Sequence, residues 1–320
     1  TMRPGMAALV VLPRARVPVA VWDAFVLAHP CGWWWHTSGW LDYGLALGGD
    51  REDLSFAMGH EERGAIRNFD QESGTFEFVR PVFRVLGLCP LIREGARCTV
   101  EGEPGAWPLM TSELASREMA WEFKRRALPV SFRSCPLADA PNEPEKLAIG
   151  WYSRVLDLTQ DETVLHADLR NSYKQLVNNP VAAPFLMVDD HGDLAGPYEA
   201  VHRAAGGRRP AETYALQAAW IKAKTAFLVG AHDHRTGWMA FAYVFLYKAG
   251  AYYGSGPSLV PNVQHAVVWQ AILEAKVRGC TRFELGWQGH ARTEKERGIE
   301  MFKRGWGGSD VPIWVREILP

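Results

Sequence analysis

The chain has 320 residues, 48% of them hydrophobic and 22% charged, and its formal net charge is −1. The length suits two domains of about 150 residues, each able to bury a core. The near-zero charge excludes a whole-molecule electrostatic grip on nucleic acid and leaves only a local basic face, while no apolar run reaches the ~18 residues of a membrane span.

Near the start, Pro13, Arg14 and Arg16 interrupt a short apolar stretch, which therefore does not read as a signal peptide. Val19 to Ala28 has apolar residues at helical spacing, and His29-Pro30 stops it. Thr37 or Ser38 can cap a second helix beginning near Gly39. LSFAMGH and GAIRNFD read as strands divided by the turn HEERG, and TFEFVRPVF as a third strand whose pairing Pro81 limits. Leu114 to Ala127 is an amphipathic helix, followed by the strand LPVSFRS. The Pro-rich, acidic stretch CPLADAPNEPEK reads as a linker or exposed loop, which places a boundary near residues 135 to 150.

The second half repeats this grammar. WYSRVLDL is a strand, Asp161 to Val177 one helix ended by Asn178-Asn179-Pro180, and PFLMVDD a strand. Tyr198 to Ala205 and Glu212 to Ala223 are helical. TAFLVGAH, GWMAFAYVFLYK and GAYYGSG are successive strands, the first two joined by the turn DHRTG. Gln264 to Arg278 is a helix closed by Gly279, TRFELG a strand and Glu294 to Lys303 a helix. The pattern predicts an α/β (α+β) protein with domains at residues 1–145 and 146–320.

The five cysteines, odd in number and without a C-x-x-C pair, predict reduced thiols in a cytoplasmic protein. His232 and His234 read as a polar hairpin turn, Asp189 to Asp193 as a surface turn, and no metal site is expected. No G-x-S-x-G elbow, P-loop or dinucleotide fingerprint occurs. Ligands of α/β folds gather where strands end in Gly-rich loops, which draws attention to Tyr247 to Gly308. There Tyr253 and Ser255 sit at a strand end, Trp287 and Gln288 follow the next strand, and Lys303 lies at a helix end. Lys303 equally suits a cation answering the negative end of its helix, and Phe302 and Trp306 equally suit core packing.

At these residues the sequence resembles the C-terminal half of the Fem-type peptidyltransferases, within the GNAT acyltransferase superfamily. The family's Phe-Lys-x-Gly-Phe-Gly segment is matched by Phe302, Lys303, Gly305, Trp306 and Gly307, with Trp for Phe. VWDAFVLAHPCGWWWHTSGWLDYG and LDLTQDETVLHADLRNSYKQLVNNP resemble the openings of the family's two domains. The resemblance implies two tandem GNAT-like domains, each a mixed, mostly antiparallel sheet flanked by helices. The second would carry the acyl-transfer site, with an acceptor in the cleft between them. It implies amide-bond formation onto an amine, with aminoacyl-tRNA or acyl-CoA as co-substrate and no further cofactor. By that analogy Lys303 and Phe302 lie at the reacting centre. Tyr253, Ser255, Tyr214, Trp287, Gln288 and Trp40 are substrate-binding, with Tyr253 and Tyr214 on the acceptor side.

A fixed cation stabilises the oxyanion formed when an amine attacks an ester or thioester, which needs no side-chain nucleophile. Glu284, Asp42 or the substrate itself could take the amine's proton. The sequence departs from members that build peptidoglycan bridges. No Lys follows Trp40, no helical-hairpin arm occurs, and Asn178 and Asn179 replace basic residues. A small amine or amino sugar of specialised metabolism is thus preferred as acceptor over a cell-wall precursor. No Arg/Gln-x-x-Gly-x-Gly/Ala turn follows GWMAFAYVFLYK, which argues against CoA. Arg292, Lys295, Arg297 and Arg304 could meet tRNA phosphates, or form a solvated helix face. The expected function is tRNA-dependent aminoacyl transfer to an amine. Its rivals are an acyl-CoA N-acyltransferase and a non-catalytic ligand-binding protein of the same fold. Oligomeric state is not legible.

Overall fold

A computed structural model describes residues 9–62, 66–70, 75–78, 82–95, 97–99, 105–126, 130–137, 147–179, 184–289 and 291–318. Internal contacts divide the chain into two units. The first comprises Thr1–Leu45, Gly49–Arg133 and Arg316–Pro320, and the second Ala46–Gly48 and Ser134–Val315. The predicted turn HEERG, Pro81 and most of the predicted linker lie wholly or partly outside the described residues.

The first unit opens with strand β1 (Val10–Pro13), helix α1 (Val19–Ala28) and helix α2 (Ser38–Ala46). Trp22 and Val26, four residues apart, share the buried face of α1. The indole N–H of Trp22 donates to the carbonyl of His36, which ties α1 to the turn before α2. Then come β2 (Arg51–Asp53), β3 (Phe56–Glu62), β4 (Ile66–Asp70), β5 (Thr75–Phe78), β6 (Val82–Cys89), β7 (Ile92–Glu94), β8 (Arg97–Thr99), β9 (Gly105–Ala106) and β10 (Leu109–Met110). Helix α3 (Glu113–Arg126) and strand β11 (Val130–Arg133) complete the unit. One sheet has the order β1-β3-β6-β10, with β3 and β6 antiparallel in the register Phe56↔Cys89 and Ala57↔Leu88. β2, β7, β8 and β11 form a second run, and β4 pairs only with β5. Alternate residues Phe56 and Met58 of β3 meet Met119 and Phe123 of α3 and Phe132 of β11 in the core.

The second unit contains β12 (Ala148–Asp157), α4 (Glu162–Asp168), α5 (Asn171–Asn178), β13 (Phe185–Asp189), α6 (Ala195–Ala204), α7 (Ala211–Lys222), β14 (Ala226–Asp233), β15 (Gly237–Tyr247) and β16 (Gly250–Ser255). It ends with α8 (Val263–Val277), β17 (Arg282–Gln288), α9 (Glu294–Arg304) and β18 (Ser309–Ile318). Its strands run in the order β13-β14-β15-β16-β17-β12-β18. Every neighbouring pair is antiparallel except β16 and β17. Parallel neighbours need a crossover, and α8 supplies it. Nearly all of α8 is buried, and Val267, Val268, Ala271 and Ile272 pack with Phe227, Val229 and Phe283 of the sheet. The expected mixed α/β class, mostly antiparallel with flanking helices, is the class observed.

Two expectations are corrected. The single helix predicted over Asp161 to Val177 is two, because Leu169 and Arg170 are extended (ψ 144° and 142°). The break frees the Arg170 N–H to donate to the carbonyl of Gly305 at 2.9 Å. Trp287 and Gln288, placed after a strand by the sequence, are the last two residues of β17. The turn DHRTG does join β14 to β15, with Asp233 accepting from the N–H groups of Arg235 and Thr236. The N–H bonds hold the Asp233 carboxyl below its ordinary range.

Candidate active site

Parallel β16 and β17 pair from Gly250↔Arg282 to Tyr252↔Glu284 and then part. A cavity of about 710 Å³ opens where they separate, lined by both strand ends, the loop into α8, the start of α8 and the end of α9. The helix that follows the Gly-rich turn therefore comes after β16, not after β15. Its loop runs through Gly254, Ser255 and Gly256 to Asn262.

Lys303 reaches this cavity from α9. That helix starts with a capping box, in which Thr293 Oγ1 accepts from the Glu296 N–H and the Glu296 carboxylate accepts from the Thr293 N–H. The N–H groups of Arg292 and Thr293 hold the Glu296 carboxyl below its ordinary value. Within α9 the one fully buried residue is a lysine: Lys303 is 8% exposed. Its Nζ donates to the carbonyl of Trp287 at 3.2 Å and stands 4.7 Å from the centre of the Trp287 ring. Gly286, at φ +89°, lies beneath the ammonium, and a Cβ there would come within 3.0 Å of Nζ. Burial lowers the Lys303 ammonium to about 8, against the pull of Glu284 and Glu300. The ammonium thus remains the main form at neutral pH.

The residues after Lys303 are held tightly. Trp306 is 1% exposed and belongs to the core, with its ring edge-on to Tyr173 at 5.2 Å. The Tyr173 hydroxyl donates to the carbonyl of Phe302 at 3.0 Å, satisfying one of the free carbonyls at the end of α9. Arg154 Nε donates to the carbonyl of Gly307 at 2.7 Å. Core packing and site placement are therefore not rivals at FKRGWGG: Trp306 packs so that Lys303 is fixed.

The structure brings Tyr253, Ser255, Trp287, Phe302 and Lys303 together around one cavity. Tyr214 stands in α7, buried, its hydroxyl 2.9 Å from His202 Nδ1, and does not line the cavity. Gln288 is fully buried, with neither amide atom partnered among the described residues, and is also off the lining. Trp40 belongs to α2 of the first unit, where it stacks on Tyr43 at 5.2 Å. Arg292, Lys295, Arg297 and Arg304 are all exposed. Of the two carboxylates considered as bases, Asp42 pairs with Arg14 at 2.8 Å in the first unit. Glu284 is buried and accepts from Ser153 Oγ at 2.6 Å.

Sequence reasoning missed His265. It occupies the first turn of α8 and lines the cavity. Its Nδ1 lies 3.1 Å from the carbonyl of Asn262, which can only accept, so the neutral ring carries its lone pair on Nε2. Burial lowers its basicity, partly opposed by the Asn262 carbonyl. A neutral imidazole and an ammonium thus share one cavity wall. Among the described residues no three His, Cys, Asp or Glu side chains come together as a metal site.

An antiparallel sheet interrupted by one parallel pair that parts over a cavity, with a helix crossing between the pair, defines a GNAT-like acyltransferase fold. Solved structures bear this out for nearly the whole chain. FemX matches at 12% identity and TM-score 0.59, over 94% of this chain and 96% of its own. L-PGS from Bacillus licheniformis matches at 12% identity and TM-score 0.57, over 95% of this chain and 92% of its own. At these identities the likeness is one of fold: the chain has the Fem-type fold. The sequence itself matches no family model and no curated protein.

Proposed function

We propose that this protein is an acyltransferase of the Fem-like kind, which passes an aminoacyl group from aminoacyl-tRNA to the amine of a small acceptor. The observation that carries the reading is the buried Lys303 ammonium in the cavity wall. Burying a charge is costly, and this one is retained where an acyl carbonyl could meet it. In the reaction the amine nitrogen attacks the ester carbonyl carbon, the carbonyl π electrons move to oxygen, and Lys303 stabilises that oxyanion. Collapse re-forms the carbonyl and expels the ribose oxygen, leaving an amide. His265, neutral and in the same wall, is the group suited to take the proton the amine must lose, and it can return it to the leaving oxygen. Exposed Arg292, Lys295, Arg297 and Arg304 are suited to phosphate contacts.

Acyl-CoA is the second reading of the donor. One observation favours it: the cavity opens between parting parallel strands with the N-terminus of α8 on its rim, a place suited to phosphate. Titration of mixed aminoacyl-tRNA and of acetyl-CoA, each at two salt concentrations, separates the donors. Binding of charged tRNA that weakens with salt, with no binding of acetyl-CoA, is the expected result. Tight acetyl-CoA binding without tRNA binding would replace the first reading by the second.

A further inference from the structure

Tyr253 and Ser255 lie two residues apart near the end of β16, and both line the cavity. Each hydroxyl oxygen is engaged from behind by a donor. Gln264 Nε2 donates to the carbonyl of Phe241 at 2.9 Å, which fixes the amide orientation, and to the Tyr253 hydroxyl at 2.9 Å. Arg209 Nη2 donates to Ser255 Oγ at 3.2 Å and lies 2.7 Å from His202 Nε2. Because a guanidinium only donates, His202 Nε2 must accept, and its proton sits on Nδ1, facing the Tyr214 hydroxyl at 2.9 Å. Burial, with Arg209 and Arg203 alongside, lowers His202 to about 4, so the imidazole stays neutral.

A hydroxyl that accepts from a fixed donor keeps its own hydrogen to give. Neither the Tyr253 nor the Ser255 hydroxyl donates to any other group among the described residues. Gly256 makes room for the phenol, since a Cβ there would fall 1.6 Å from the Tyr253 oxygen. Among the described residues lining the cavity there is no Asp or Glu. The wall thus offers two O–H donors, one of them backed by a guanidinium, with Lys303 as a cation of the same lining.

We infer that the β16 wall reads an anionic oxygen group of the ligand, a carboxylate or a phosphate, through the hydroxyls of Tyr253 and Ser255. Gln264 and Arg209 are positioning residues that hold those hydroxyls as donors. His202 and Tyr214 stand behind Arg209, which accounts for Tyr214 mattering to the site without lining it. The inference rests on the cavity being the substrate site proposed above. It goes further by naming the chemistry of the ligand group that docks on β16.

Calorimetric titration of the full-length protein in low-chloride buffer tests this. The probes are pyrophosphate, acetate and, as an opposite charge, ethylammonium. Wild type should bind pyrophosphate or acetate, and which one binds assigns phosphate or carboxylate. Tyr253→Phe and Ser255→Ala should each weaken that binding roughly tenfold or more, as expected for loss of a hydrogen bond to a charged group. Arg209→Gln should weaken it comparably and Arg209→Lys should recover part, which a purely structural role for Arg209 would not produce. Two results would overturn the inference: no anion binding at millimolar concentrations, or a folded Tyr253→Phe/Ser255→Ala double variant that keeps its affinity within twofold. Preferential binding of ethylammonium at this wall would overturn it too. Anion binding without transfer of any acyl group would leave this inference intact while removing the acyltransferase reading.

Discussion

Lys303 sets a conflict between stability and chemistry. Its ammonium is lowered from the ordinary 10.5 to about 8, so the charged form is disfavoured in the folded protein relative to the unfolded chain. At pH 7 both states hold the proton, and folding bears the full penalty, roughly 3 kcal/mol at most. As pH rises through 8 the folded lysine discharges first, and the penalty fades, vanishing above 10.5. Lys303→Met should therefore melt higher than wild type at pH 7, with a gap that closes towards pH 10. Thermal unfolding at the two pH values reads this, and a variant less stable than wild type at pH 7 would refute it. The same shift sets the rate. Only the charged lysine can meet an oxyanion, so turnover should fall as pH rises past about 8. Gly286→Ala should mimic part of this loss, because the residue needs φ +89° and the new Cβ would press on Nζ. Turnover should drop more than acceptor affinity, read as a fall in kcat at nearly constant KM.

At the scale of elements, the break between α4 and α5 makes a seat for the end of α9. Gly305 fits under the ring of Tyr173, where a Cβ would come within 2.3 Å of the ring, and Gly307 fits against Asp168, where a Cβ would lie at 2.8 Å. Gly305→Ala should destabilise the protein by roughly 1–3 kcal/mol, the range for overpacking a tight contact, and denaturant unfolding measures it. Tyr173→Phe keeps the ring and removes only the bond to the Phe302 carbonyl, about 1 kcal/mol. The helix break was not legible in the sequence. DETVLHADLRNSYKQLV contains no proline or glycine, and what separates Leu169 from Arg170 is a hydrogen bond to Gly305, more than a hundred residues away. By contrast α8, β17 and α9 were legible, because Gly279, the apolar run of β17 and the Thr293–Glu296 box are local signals. His265 was missed because a lone histidine in an apolar helix reads as core. Arg209 and His202 carry no short-range signal either, since their partner Ser255 lies 46 residues beyond Arg209.

Across the whole chain, the order of weak motifs carried more than any one of them. FKRGWGG alone fits a helix end. Only its place after the Tyr-Gly-Ser strand end and the α8 crossover points to an acyl-transfer fold, and the structures of FemX and L-PGS share that fold at 12% identity. What the fold leaves open is the substrate, and there surface charge matters. The exposed cations of α9 and the loop before it predict that any tRNA affinity falls as salt rises, by an amount that shrinks in an Arg292→Ala/Arg297→Ala variant. No described helix is long and apolar enough to cross a membrane.

The most direct test of the account is a steady-state comparison of wild type and Lys303→Met, using whichever donor the titrations show to bind. The predicted result is a fall in kcat of roughly a hundredfold or more, the usual loss for one oxyanion donor, with KM for the donor changed little. A variant that keeps wild-type kcat would contradict the account and return Lys303 to the role of a helix-end cation.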